Sequence, residues 1–177
     1  MQFDIPSVCL KRNFKIRYNK KQGRVYPRDV PLNVRVVDRD TVIMNPDTAS
    51  SAIREYCQRR TENTDLRIIS VRQGYSACAA LSFGKGIITS DSGIERAAQR
   101  NGIPTLKISP GGISLPGYEY GFIGGSAFML HGKMYFTGSL KKHPDGERIV
   151  SFLSGAGIES VFLTEYDIFD IGGAIVI

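Results

Sequence analysis

The hydrophobic pattern changes period several times along the chain, and each change marks an element. Near the N-terminus Phe14, Ile16 and Tyr18 alternate with Lys15 and Arg17, the two-residue period of a strand. Asn19-Lys20-Lys21-Gln22-Gly23 reads as a turn before Val25 and Tyr26, so residues 1–30 are expected to form a basic arm or hairpin. Val34, Val36 and Val37 predict a strand, Asp38-Arg39-Asp40 a turn, and Thr41-Val42-Ile43-Met44 a second strand. Asn45-Pro46 supplies a helix cap and first-turn proline. Ala49, Ala52, Ile53, Tyr56 and Cys57 then recur at helical spacing. Apolar runs at 66–71 and 76–83 predict two further strands.

The plan then repeats. A strand at 86–89 leads to Asp91, which caps a short helix with Ile94, Ala97 and Ala98 on its apolar face, closed by Asn101-Gly102. Strands at 105–108 and 120–130 follow, separated by a glycine- and proline-rich stretch. A third round has a strand at 134–137 and a helix opened by Pro144 with Ile149, Val150, Phe152 and Leu153 inward. Gly155 or Gly157 stops that helix, and strands are expected at 161–163 and 168–177. Thr89 matches Thr137 and Gly125 matches Gly173 at a common spacing. The pattern is an α/β chain of about three β-α-β-β repeats, near 34–83, 84–130 and 131–177, in one domain spanning 31–177. Such units cannot bury their apolar faces alone, so they are expected to pack around a shared axis.

Composition narrows the class. At 177 residues, 42% hydrophobic and 23% charged, the chain suits one globular domain. It carries no signal-peptide pattern and no apolar run of the roughly 18–20 residues that span a bilayer, so no membrane role is expected. Cys9, Cys57 and Cys78 are odd in number and unrelated in spacing, which predicts reduced thiols in a cytoplasm. Residues 1–30 hold eight Lys or Arg against Asp4 and Asp29, which accounts for the whole net charge of +6. This arm either meets nucleic-acid phosphates or is a solvated, lysine-rich hairpin that blocks edge pairing.

Candidate chemistry is sparse. Gly74-Tyr75-Ser76-Ala77-Cys78, Ile123-Gly124-Gly125-Ser126-Ala127 and Asp170-Ile171-Gly172-Gly173-Ala174 hold the same place in successive units. Their glycines permit close strand approach, either packing the centre or lining a channel there. Around that centre Gly74, Tyr75, Ser76, Asp91, Gly124, Gly125, Asp170 and Gly172 are the ligand-binding candidates. His143 and Asp145 stand at the entry to the third helix, as a general base with its carboxylate or as a helix cap. Cys78 is a nucleophile if His143 reaches it, and an inert core thiol otherwise. His131 sits in a turn and is expected to face solvent. Two distant histidines make no metal site, and no phosphate or dinucleotide loop is present, so no cofactor is expected.

Several motifs carry a family resemblance: YPRDVPLNV (26–34), VRQGYSACA (71–79), GIITSDSGI (86–94), LPGYEYGFIGGSA (115–127), HPD (143–145) and DIGGAI (170–175). From Tyr26 onward the chain resembles a bacterial domain-of-unknown-function family of the GME fold (DUF6873-like). That family is related in fold to the pentein β/α propellers of the deiminase and amidinotransferase superfamily. The resemblance implies an incomplete pentein-like propeller, shortened at its N-terminus, with open strand edges that favour self-association. It also implies a central pocket for a small guanidino or amide compound. If the pocket is catalytic, Cys78 is its nucleophile and His143 its base, with Asp145 and Asp170 binding the cationic ligand. The chain departs from guanidine-modifying penteins at Ile123, where an acid precedes Gly-Gly, and in a final strand without cysteine. A non-catalytic role, binding RNA, a ribosome or a protein, is the other expectation, since some penteins bind ribosomal subunits.

Overall fold

A computed structural model describes residues 26–174. The sequence-predicted strand at 14–18 and its turn, and residues 175–177 of the expected last strand, lie outside the described residues. Three small sheets of three strands each are built in the same way. The first contains β1 (Arg35–Asp38) and β2 (Thr41–Met44), antiparallel, then α1 (Ser51–Asn63) and β3 (Arg67–Ser70), parallel to β2. The second contains β4 (Ala80–Ser82), β5 (Ile87–Thr89), α3 (Ser92–Arg100) and β6 (Thr105–Lys107) in the same order and sense. The third contains β7 (Ala127–Leu130), β8 (Lys133–Phe136), α4 (Gly146–Gly155) and β9 (Glu159–Phe162). The parallel pair needs a crossover and the helix provides it, while the antiparallel pair closes through a tight turn.

Hydrogen bonding thus groups the elements as β-β-α-β. This frame is offset by one strand from the β-α-β-β reading, because the strand that ends each sequence unit pairs with the next unit. At 167–174 isolated bridges, Ser114 to Phe169 and Ser139 to Asp167, take the place of a strand. Ser76–Ala79 is a helical turn (α2) and not the start of a strand, since the Ser76 hydroxyl bonds the carbonyls of Asn33 and Ile43 and curls the backbone inward. A matching 3-10 turn, Ile123–Gly125, precedes β7.

Helix ends follow their sequence signals in α3 but not at the starts of α1 and α4; α4 begins at Gly146, two residues after Pro144, and Asp145 at its cap position makes no side-chain cap bond. Asp91 accepts from the Ile94 N–H at 2.8 Å, a side-chain N-cap, and Gly102 (φ 72°) closes α3. Ser50, not Asn45-Pro46, caps α1; Asn45 instead organises the turn before it by accepting from Asp47 N. Apolar stripes supply the cores. Ile149 and Leu153 of α4 are fully buried with Phe136, Met134, Ile123 and Leu81 between the second and third sheets. Each such side chain contributes roughly 1.5–3 kcal/mol. Ile43, Ile69, Ala80, Ile87, Ile94 and Ala98 join the first two sheets. Cys57 is buried with Met44, Ala49 and Leu66 beneath α1.

Candidate functional site

The α2 turn and the 3-10 turn pack directly on each other, and this contact positions the candidate site. A Cβ on Gly124 would lie 2.2 Å from Ala77 O, 2.5 Å from Ala80 O and 2.6 Å from Cys78 O, so only glycine allows the approach. Gly125 stands in the same relation to Asp170, whose Oδ1 would lie 2.0 Å from an added Cβ. Asp170 is buried, its Oδ2 accepting from Phe122 N at 2.8 Å and its Oδ1 from Gly172 N at 2.7 Å. Gly74 is buried under the Tyr26 ring. Gly172 is exposed with φ 83° and no neighbour within 4 Å of an added Cβ, so it serves the turn and not a packed centre.

Cys78 sits at this junction, half-buried and reduced. Asn33 Nδ2 donates to its Sγ at 3.2 Å, and Asn33 Oδ1 accepts from Ala77 N at 2.7 Å and Cys78 N at 3.3 Å. Burial pushes the Cys78 thiol above its ordinary range; Asn33 and Arg35 pull it back, and Asp170 adds to the rise. At neutral pH the sulfur is therefore a thiol. Arg35 Nη2 donates to Ala77 O and, at 3.4 Å, to Gly124 O. Arg35 forms no ion pair among the described residues, its Nε is buried without an acceptor, and burial lowers its pKa to about 10.

An aromatic surface adjoins the thiol. Tyr75 stacks on Phe122 (centroids 6.1 Å, 18°) and meets Tyr26 at 6.0 Å. The Tyr75 hydroxyl donates to Asp29 Oδ2, and that bond, with burial, pushes its pKa up to about 12. Tyr75 N is held by Gln73 Oε1, and Gln73 Nε2 donates to Asp91 Oδ2, so Asp91 caps α3 and supports Tyr75 through one intermediary. Ser76 is fully buried and bonded to backbone, which leaves it a structural role.

His143 and Asp145 form a second cluster. His143 Nδ1 accepts from Asp145 N at 3.0 Å, and its ring and Pro144 both lie against Gly112. Asp145 Oδ2 accepts from Ser109 N at 2.6 Å while Oδ1 pairs with Arg148. None of these partners is shared with Cys78, which lies among Tyr75, Gly124 and Asp170, and no hydrogen bond joins His143 to Cys78 among the described residues. Burial lowers the His143 pKa, and Asp145 opposes that only in part. His131 is exposed in its turn. Two clefts, of about 510 Å³ beside Phe83 and Phe152 and about 300 Å³ beside Gly112 and Lys142, are lined by neither Cys78 nor its partners.

Asn33, Arg35, Asp29 and Phe122 were not read from the sequence as site residues. Arg35 carried a usable signal: it falls on the inward face of β1 with buried Val37, opposite exposed Val36, an unusual place for a charge. Among the described residues no group of three or more His, Cys, Asp or Glu could hold a metal ion. No helix there is long and apolar enough to cross a membrane.

A model of a family of unknown function, DUF6873, matches residues 7–175. No curated protein matches the sequence. Agmatine deiminase of C. jejuni is similar in structure over 75% of this chain and 49% of its own, with a TM-score of 0.52 and 10% identity. DDAH from Pseudomonas aeruginosa, complexed with citrulline, aligns over 67% of this chain and 51% of its own, with a TM-score of 0.40 and 14% identity. The chain thus spans about half the length of these two proteins. At such identity the first likeness establishes the fold, which is pentein-like and α/β.

Proposed function

We propose a small-molecule-binding role for this chain, which belongs to the DUF6873 family. The ligand is a small guanidino or amide compound, taken at the surface where Tyr75, Phe122, Cys78 and Asp170 meet. In this reading residues 31–177 form one domain, with its three sheets as propeller blades. The carrying observation is the composition of that surface: half-exposed stacked aromatic faces edged by Asp29 and Asp170, beside the one described thiol that has polar partners. Aromatic faces and carboxylates together favour a flat cation. Binding without hydrolysis is the form the site supports best. Burial keeps Cys78 protonated, and no imidazole is among its partners to accept the proton that nucleophilic attack requires.

The test is calorimetric titration with agmatine, guanidinium and simple amides, alongside an assay for released ammonia. Saturable binding without ammonia, lost in Tyr75→Ala, is the expected result. Absence of binding by all three probes removes the reading, and ammonia release that depends on Cys78 replaces it with a hydrolase. Nucleic-acid binding remains a second reading because all the net charge lies in residues 1–30, most of them outside the described residues. RNA retention that survives deletion of residues 1–25 counts against it.

A further inference from the structure

Arg35 is a cation that forms no ion pair among the described residues. It reaches from β1 in the first sheet to the junction of the other two, donating to Ala77 O and Gly124 O. The carbonyls of Ala77, Cys78 and Ala80 all converge on the Gly124 backbone, each within 2.6 Å of where a Cβ would stand. Of the oxygens at this contact, those of Ala77 and Gly124 present the negative ends of peptide dipoles to Arg35, which suits a cation that donates hydrogen bonds in a plane. Burying a guanidinium without an anion is costly. The fit of the tethered group is also incomplete, since Arg35 Nε has no acceptor. A free guanidinium is not bound by the geometry of an arginine stem.

We infer that the carbonyl cage formed by Ala77 and Gly124 beside Cys78 is a guanidinium-binding site that the chain fills with its own Arg35. It rests on the ligand reading above and deepens it: a guanidino ligand enters beside Cys78 by exchanging with Arg35, one guanidinium for another. While Arg35 is seated, the ligand is confined to the outer aromatic surface of Tyr75 and Phe122. The apparent affinity is then reduced by the fraction of molecules in which Arg35 occupies the cage.

Two measurements test this. In the wild-type chain, the Arg35 Nε–H signal is expected to be protected from solvent exchange in the free protein and to lose that protection when agmatine saturates it. Protection that persists with agmatine bound overturns the inference. The second measurement does not depend on agmatine. Arg35→Ala is melted with guanidinium chloride at about 5 mM against sodium chloride of equal ionic strength. A rise in Tm of about 2 °C or more over the salt control, or folding that requires guanidinium, is expected. A variant that gains nothing over sodium chloride, or stays unfolded in both, overturns it. If agmatine binds nothing while guanidinium raises the Tm of Arg35→Ala, the ligand reading falls and the cage stands. If agmatine binds and guanidinium has no effect, the cage falls alone.

Discussion

Asn33 holds Cys78 at both ends of the residue: its amide N–H donates to the sulfur while its amide oxygen accepts from the Cys78 backbone N–H. The same oxygen takes the Ala77 N–H, so one side chain in the loop before β1 fixes the turn that opens the second sheet. Removing it leaves buried donors unpaired, and Asn33→Ala is expected to cost about 1–3 kcal/mol in urea unfolding. The thiol also loses the partner that favours its ionised form. Iodoacetamide labelling of Cys78, followed by peptide mass with Cys78→Ser as control, should give a wild-type midpoint above the roughly 8.5 of a free thiol. The midpoint should be higher still in Asn33→Ala. A wild-type midpoint at or below the free value contradicts the burial argument.

Glycine at 124 and glycine at 172 do different work, although the sequence places them alike. Gly124→Ala puts a methyl into three carbonyl oxygens that belong to backbone and cannot step aside. A cost of about 3 kcal/mol or failure to fold is expected, since overpacking at a rigid contact is relieved only by moving the turn. Gly172→Ala meets no atom and bears only the strain of φ 83°, of order 1 kcal/mol. Equal losses in the two variants would show that the turns are not in contact as described.

These two glycines also show what the sequence can and cannot reveal. Helices were legible because caps and stripes are local: Asp91 with Ile94 and Ala98, or Ile149 with Leu153, repeat at the helical period. Strand pairing was not, because β2 is buried at all four positions and such a run has no polar face to say which neighbour it joins. The pentein-like fold was legible from motifs taken together. Whether Gly172 shares the centre with Gly124 depends on the turn around Asp170, whose hydrogen bonds to Phe122 and Gly172 have no periodic signature. Arg35 went unnoticed because one charge in a short strand reads as an edge residue until its partners are known.

Acid is expected to loosen the third unit in two separable steps, both at the entrance to α4. His143 Nδ1 accepts from the Asp145 N–H, so protonating it sets two donors face to face. The charges around it are Asp145, paired with Arg148, and the neighbouring Lys142, bonded to Asp167. Burial lowers the folded pKa of His143, so its share of stability is complete above its ordinary value of about 6.5 and is lost as pH falls below it. Asp145 also has a lowered pKa, held down first by the Ser109 N–H and then by Arg148. Its share is complete above about 4 and is lost as pH falls through the depressed value. Thermal melts from pH 8 to pH 3 should therefore show one decline beginning near 6.5 and another below 4. His143→Asn, whose side-chain oxygen can still accept from Asp145 N, should abolish the first decline and keep the second. Asp145→Asn should remove the second and lower stability at neutral pH by about 1–3 kcal/mol, through the lost ion pair and weakened hydrogen bond to Ser109. A wild-type Tm that does not change between pH 7 and pH 5 would mean that His143 is reached by solvent and held by neither burial nor Asp145.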